Sequence, residues 1–294
     1  MRHPRVGVAV VTMGNRPGEV AALLESVAEQ DAPPERIVIV GNGSPLPAFP
    51  GLPGELTVIE LDDNLGCPGG RNVALARLRD FGDVDVVVEL DDDGLLVDGV
   101  VLRKVRELFA GDPCLGIVGF RITDELGETQ RRHVPRLRAK DPMRRGPVTG
   151  FLGGGHAFSM RMLGEIGDWP AEFFFTHEET DVAWRALDGG WKILYEPELL
   201  LQHPKTSPAR HAVYFRMTAR NRVWLAKRRL PALLVPVYLG VWIALTLART
   251  RSLRGLRAWF GGFAEGLRTS CPPRRPMRWA TVWRMARLGR PPFI

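Results

Sequence analysis

The chain has 294 residues, 45% of them hydrophobic and 25% charged, and a formal net charge of +7. That composition suits one large globular domain plus an appendage. Cys67, Cys114 and Cys271 are few, odd in number and far apart, which excludes a disulfide framework or a zinc cluster and fits a reducing, cytoplasmic compartment.

Residues 6–11 are a short valine-rich run, the pattern of a buried strand and too short for the core of an export signal. Asn15 and Pro17 mark a helix start, and Val20, Leu23, Leu24, Val27 and Ala28 share one helical face. Strands are predicted over 37–40 and 56–61, the first ended by Gly41-Asn-Gly-Ser44. A glycine-rich loop over 64–72 leads into a helix through Val73, Ala76 and Leu78. A fourth strand, 84–90, runs into Asp91-Asp-Asp93, and Val101, Val105, Leu108 and Phe109 mark the next helix. Repeated strand–helix units imply an α/β fold, a mostly parallel sheet with helices on both faces.

The later part is less regular. A strand is predicted over 115–122, then an arginine-rich surface excursion over 123–145. Residues 151–160 read as a strand interrupted by Gly153-Gly-Gly155, 178–187 as a helix, and 193–195 and 199–201 as strands. The division expected is a domain over 1–225, in two halves that meet at about residue 120. A helical, arginine-rich extension over 226–294 follows.

Four stretches carry chemistry. Asp91 and Asp93 stand two apart at the end of a strand, so both carboxylates can face one point beyond the carboxyl edge of the sheet, where ligands of such folds bind. Hard oxygen ligands there suit Mg2+ or Mn2+, which would hold a diphosphate; a solvated acidic turn is the competing explanation. In the glycine-rich loop, Gly66 and Gly70 would let backbone approach a phosphate ahead of a helix N-terminus, and Arg71 adds a cation; the Gly-Lys-Ser/Thr ending of a Walker loop is missing. In Thr176-His-Glu178-Glu179-Thr-Asp181, Thr176 and Glu179 have the spacing of a helix capping box, while a carboxylate at a helix start is also placed to act as a general base. His203, at the end of an apolar run, is a credible third ligand beside two aspartates.

Residues 249–294 hold eleven arginines and one acid, so this tail is +10 and the preceding 248 residues are net −3. Before it, residues 230–248 are 19 positions without a charge, about 28 Å as a straight helix against a hydrocarbon core of ~30 Å. Pro231, Pro236 and Gly240 interrupt this stretch and cations flank both ends, which favours an interfacial or re-entrant helix over a packing helix or a span. Trp259, Trp279 and Trp283 among arginines suit an anionic membrane surface. No nucleic-acid-binding motif accompanies the basic tail, so nucleic acid is not an expected partner.

Taken in order, these stretches resemble the family 2 glycosyltransferases of the GT-A fold. The series is Val11-Thr12, Val40-Gly-Asn-Gly-Ser44, the Asn64–Asn72 loop, Asp91-Asp-Asp93, Gly153-Gly-Gly155, residues 173–181, Gly190-Trp-Lys-Ile-Leu-Tyr-Glu-Pro197, His203 and Arg220-Asn-Arg222. The likeness covers about residues 5–225 and is nearest the rhamnosyl- and galactofuranosyl-transferase branch that builds surface polysaccharide. The resemblance implies a nucleotide-sugar donor, with Thr12 and Arg71 lining the nucleotide site and Asn42 and Asp92 nearby. It implies Mn2+ or Mg2+ on Asp91, Asp93 and His203, and Glu179 as catalytic base, with Glu178 as the alternative. Gly154, Trp169, Asp181 and the aromatics 173–175 fall on the acceptor side, and a lipid-linked glycan acceptor would explain docking at the inner face of the membrane. The implied reaction is displacement with inversion on an acceptor hydroxyl. Two positions depart from the family pattern: Gly41 stands where Asp usually precedes Asn-Gly-Ser, and Glu178-Glu179 stands where Glu-Asp is usual. A non-catalytic sugar-nucleotide binder and a nucleotidyltransferase are the competing functions.

Overall fold

A computed structural model describes residues 3–49, 55–137, 141–204, 212–270 and 273–293; Cys271 lies outside them. In chain order the elements are β1 (Val6–Thr12), α1 (Pro17–Ala28), β2 (Arg36–Asn42), β3 (Glu55–Leu61), α2 (Gly66–Phe81), β4 (Val86–Asp91), β5 (Leu95–Leu96), α3 (Val101–Gly111), β6 (Leu115–Thr123), β7 (Gly146–Pro147), β8 (Gly155–Ser159), α4 (Met160–Ile166), α5 (Glu178–Asp188), β9 (Lys192–Gln202), α6 (Ala212–Arg229), α7 (Leu234–Arg249), α8 (Leu253–Arg268) and α9 (Trp279–Arg287). The strands form one sheet in the order β3-β2-β1-β4-β8-β6-β9-β5, with β7 pairing β9. β3, β2, β1 and β4 run parallel, while β8 is antiparallel to both its neighbours. The chain leaves β1 toward β2 and β3 on one side and returns to β4 on the other. The β1/β4 boundary is therefore the point where strand order reverses, and a crevice opens there at the carboxyl edge.

Alternation along the strands explains both layers. Val6, Val8 and Val10 of β1 and Val86, Val88 and Leu90 of β4 pack with α1 and α3 through Leu23, Leu24, Val101 and Leu102. Ala9 and Val87 point the other way, into a core shared with α2, α5 and α6 through Leu75, Val182 and Leu225. On that second face the next position in β4 is Glu89, followed by Asp91.

Several expectations change. The glycine segment is not a free loop: helix α2 begins at Gly66, so Gly69, Gly70 and Arg71 lie in its first turns. Arg16, not Asn15, precedes α1, with no side-chain cap. The two short strands near 193–201 are one strand, β9, whose pairing with β6 shifts register between Phe120 and Arg121. The stretch from 151 to 160 becomes strand only at Gly155 and passes into α4 at Met160.

Helix α8 lies close along α6 because Gly262 and Gly266, one turn apart, present no side chain: a Cβ on Gly262 would collide with the Arg216 carbonyl, and one on Gly266 would come 2.8 Å from that of Arg220. Helix α7 has 16 residues, about 24 Å of rise. Among the described residues no helix is long and apolar enough to cross a membrane. Only Tyr238 of α7 is buried, and Leu233, Val237 and Leu247 stand open.

Candidate active site at the carboxyl edge of β1 and β4

Thr12 ends β1, and its hydroxyl donates to Asp92 Oδ2 at 2.7 Å. Arg16, just before α1, binds Asp92 Oδ1 at 3.1 Å and also pairs with Asp93. His203, past the end of β9, brings Nε2 to 3.1 Å from Asp93 Oδ1 and 3.8 Å from Asp91 Oδ2. Its Nδ1 faces the Pro204 carbonyl at 2.9 Å, which fixes the ring with Nε2 toward the aspartates. Burial works against the Asp93 carboxylate, but the hydrogen bond and charge of His203 hold it below its ordinary pKa. Burial raises that of Asp92. The hydrogen bond to Asp93 pushes His203 up to about 9.

Asp91, Asp93 and His203 are thus drawn together from two strands 110 positions apart in sequence. Among the described residues no group of three or more His, Cys, Asp or Glu side chains forms a preformed metal cage. The donor chemistry nonetheless fits a hard divalent cation: His203 Nε2 lies 3.1 Å from an Asp93 oxygen and 3.8 Å from an Asp91 oxygen, which puts two carboxylates and an imidazole nitrogen side by side. Gly154 leaves room beside them, since a Cβ there would come 3.1 Å from Asp91 Oδ2 and 3.6 Å from the His203 ring.

Arg71 is 4% exposed and joins this carboxylate group to the rest of the site. Its Nη2 donates to Asp91 Oδ1 at 3.1 Å and to the Gly153 carbonyl at 2.7 Å. The guanidinium lies over the Trp169 ring, 4.9 Å from its centroid, with Nε 3.6 Å from Glu89. Glu89 is buried and also accepts from His156 Nε2 at 3.0 Å and Trp169 Nε1 at 3.1 Å. Glu89 and His156 were missed in the sequence. The available signal was a charged residue inside the apolar run Val86-Val-Val-Glu-Leu90, two positions before Asp91 and so on the same face.

The glycines serve packing. Gly66 is in the left-handed region at φ 74°, and a Cβ on it would collide with the Phe174 carbonyl. A Cβ on Gly70 would come 2.7 Å from the Val11 side chain. Both are buried, so the backbone that they bring close is the protein's own rather than a ligand-facing cradle. Asn42 is also internal: Nδ2 donates to the Gly66 carbonyl at 3.0 Å, and Oδ1 accepts from Leu65 N at 2.9 Å. Gly41 fits no larger residue, because a Cβ would strike the Ser44 carbonyl.

On the opposite wall, the segment entering α5 is bent into unusual backbone. Phe174, Thr176 and His177 have φ of 64°, 71° and 68°. Each such non-glycine residue costs about 1–3 kcal/mol, and clusters of them mark functional sites. His177 precedes α5 without a side-chain cap, and the Thr176 hydroxyl has no hydrogen-bond partner, so the capping box does not form. Asn221 of α6, fully buried, holds the bend: its Nδ2 faces the carbonyls of Phe173, Phe175 and Thr176 at 2.9, 2.7 and 3.0 Å.

The bend separates the two glutamates. Glu178 turns inward, 3% exposed, with Oε2 unpartnered. Glu179 is half-buried and lines a cavity of about 340 Å³. It lies against Gly153, where a Cβ would come 2.5 Å from Oε1. Burial, partly opposed by Arg71, pushes the Glu179 carboxyl up; burial and Glu179 push Glu178 well up. A cavity of about 880 Å³ lies elsewhere, between α3 and β9, away from these carboxylates.

Two residues expected on the acceptor side are internal. Trp169 is 3% exposed beneath Arg71. Asp181 is fully buried and bound by Arg185 Nε at 2.8 Å and by Arg229 Nε and Nη2 at 2.6 and 3.1 Å. Phe173 is buried too, whereas Phe174 and Phe175 are exposed.

The family model for glycosyl transferase family 2 matches residues 8–167. No curated protein sequence matches the chain. Among solved structures, TarS of S. aureus is similar over 90% of this chain and 48% of its own, at 17% identity and a TM-score of 0.58. The mannosyltransferase PcManGT from Pyrobaculum calidifontis, in complex with GDP-Man and Mn2+, is similar over 98% of this chain and 85% of its own, at 18% identity and a TM-score of 0.55. GalNAc-T7, with UDP, GalNAc and Mn2+, is similar over 92% and 55%, at 12% identity and a TM-score of 0.62. The chain spans about half the length of TarS and of GalNAc-T7. At these identities the structural likeness speaks for the fold, and the family match speaks for the family: the chain belongs to glycosyl transferase family 2 and has the GT-A fold.

Proposed function

We propose that the protein transfers a sugar from a nucleoside-diphosphate donor to an acceptor hydroxyl with inversion, using Mn2+ or Mg2+ held by Asp91, Asp93 and His203. The observation that carries this reading is the bridge made by Arg71. One guanidinium nitrogen touches both Asp91 and the Gly153 carbonyl, and Gly153 abuts Glu179, so Arg71 and Gly153 link the carboxylate cluster to the half-buried glutamate. The relatives crystallised with GDP-Man, with UDP and with UDP-GlcNAc support a nucleoside-diphosphate donor. Gly41 leaves no room for an acidic side chain, so contacts to the base come from other residues.

When bound, the metal neutralises charge on the diphosphate leaving group. Thr12 and Arg16 orient Asp92 and Asp93 on one side, and His203 orients Asp93 on the other. Arg71 presents a fixed positive charge between donor and acceptor sides. Glu179, its pKa raised by burial, accepts the acceptor's hydroxyl proton; Glu178 is too enclosed to do so. Asn221 and the bend at residues 174–177 aim Glu179.

The half-exposed apolar α7 and the open Trp279 and Trp283 of α9 support peripheral docking on an anionic membrane at its cytoplasmic face, the setting of polysaccharide synthesis on a lipid-linked acceptor. Trp259 plays no part there, being 3% exposed and stacked on Phe263. The test is nucleoside diphosphate release from a panel of UDP-, GDP- and dTDP-sugars with Mn2+ or Mg2+. Release that a chelator abolishes supports the reading and names the donor. Pyrophosphate release instead would mark a nucleotidyltransferase.

A further inference from the structure

The cavity beside Glu179 contains an unbalanced charge. Arg222 of α6 is 7% exposed, yet among the described residues no carboxylate reaches it. Its guanidinium lies 3.5 Å from the centroid of the Trp242 ring, Nη1 donates to the Tyr238 hydroxyl at 3.2 Å, and Nε has no partner. A buried cation is normally paired, because an isolated one is costly to remove from water. The neighbouring arginines show the usual solution: Arg185 and Arg229 share Asp181. Arg290, from the segment after α9, faces the same cavity, and no carboxylate among the described residues reaches it either. One more donor, Thr149 Oγ1, is buried there without a hydrogen bond. Glu179 is the single acid among the lining residues.

We infer that this cavity binds an oxyanion carried by the acceptor, phosphoryl or carboxylate, between Arg222 and Arg290. The inference rests on the transferase reading for the word acceptor; the anion site stands on its own geometry. Planar guanidinium forks match phosphate and carboxylate oxygens, and the Thr149 hydroxyl completes the donor set. Glu179 at the same cavity leaves the acceptor's hydroxyl near the base while its anionic group is held. The C-terminal segment thereby acquires a role, since it contributes Arg290.

The test is calorimetric titration of the full chain with inorganic pyrophosphate and with methyl glucuronide, methyl glucoside serving as the neutral control. Divalent cations are chelated and no donor is present. At least one anion is expected to bind and the glucoside not. Arg290→Gln, at the cavity rim, should weaken that binding on the order of tenfold, and Arg222→Gln more, with unchanged circular dichroism. Preference for pyrophosphate assigns a phosphoryl group, and preference for glucuronide an acidic sugar. Equal binding by wild type and Arg290→Gln, or binding of neither anion, overturns the site. Because the titration uses neither metal nor donor, a chain without transferase activity can still pass it, and an active one can fail it.

Discussion

Two acidic positions that look alike in the sequence, Asp93 after β4 and Asp181 in the first turn of α5, have opposite fates. Asp181 is fully buried and clamped by Arg185 and Arg229, with Arg228 Nε 3.9 Å away. Asp93 is buried too, but its partners Arg16 and His203 keep 39% and 19% of their side-chain surface open. A carboxylate becomes a site when its partners sit at an opening, and a structural clamp when they are buried with it. The glutamates repeat the contrast at one-residue spacing, Glu178 enclosed and Glu179 facing the cavity.

That contrast is broken most strongly by exchanging Glu179 for glutamine. Loss of a general base costs about 10²–10⁴ in rate, so Glu179→Gln should lose that much acceptor-dependent turnover while its thermal melting is unchanged. Glu178→Gln should keep turnover within about an order of magnitude. Steady-state kinetics of the two variants side by side distinguishes them, and equal losses would erase the distinction between the glutamates.

Asp181→Asn should act on stability instead. Removing one member of a buried ion pair costs about 3–5 kcal/mol, read as a shifted denaturant midpoint. The pH dependence has a definite sign. The surrounding arginines, Arg185 and Arg229 foremost, outweigh burial and hold the folded pKa of Asp181 below the unfolded value. Its contribution is therefore full above the ordinary carboxylate range and is lost as pH falls through that depressed value. Acid unfolding of wild type and Asp181→Asn should converge there.

A smaller effect is expected from Asn221→Ala, which removes the donor that spans three carbonyls of the bend. Turnover should fall by about tenfold as Glu179 loses its fixed position, with a stability loss of about 1–3 kcal/mol. A mutant that kept full turnover would show that the bend does not aim Glu179.

The parallel sheet and the Asp91–Asp93 pair were legible in the sequence because strand period and strand ends depend on neighbours in the chain. The glycines were legible as glycines but not by role, since close packing on Phe174 or Val11 leaves the same mark as an approach to phosphate. The burial of Asp181 is not legible in the sequence, because its partner Arg229 lies 48 positions away. In the sequence Arg222 is one member of Arg220-Asn-Arg222; its isolation from carboxylates appears once Tyr238 and Trp242 of α7 pack against it.

The most direct measurement is Mn2+ binding by electron paramagnetic resonance, in the presence of UDP or GDP, for wild type and Asp93→Ala. Loss of the free Mn2+ signal at one equivalent with wild type, and its persistence with a folded Asp93→Ala, is the predicted result. Equal Mn2+ uptake by both proteins would contradict a metal site at Asp91, Asp93 and His203.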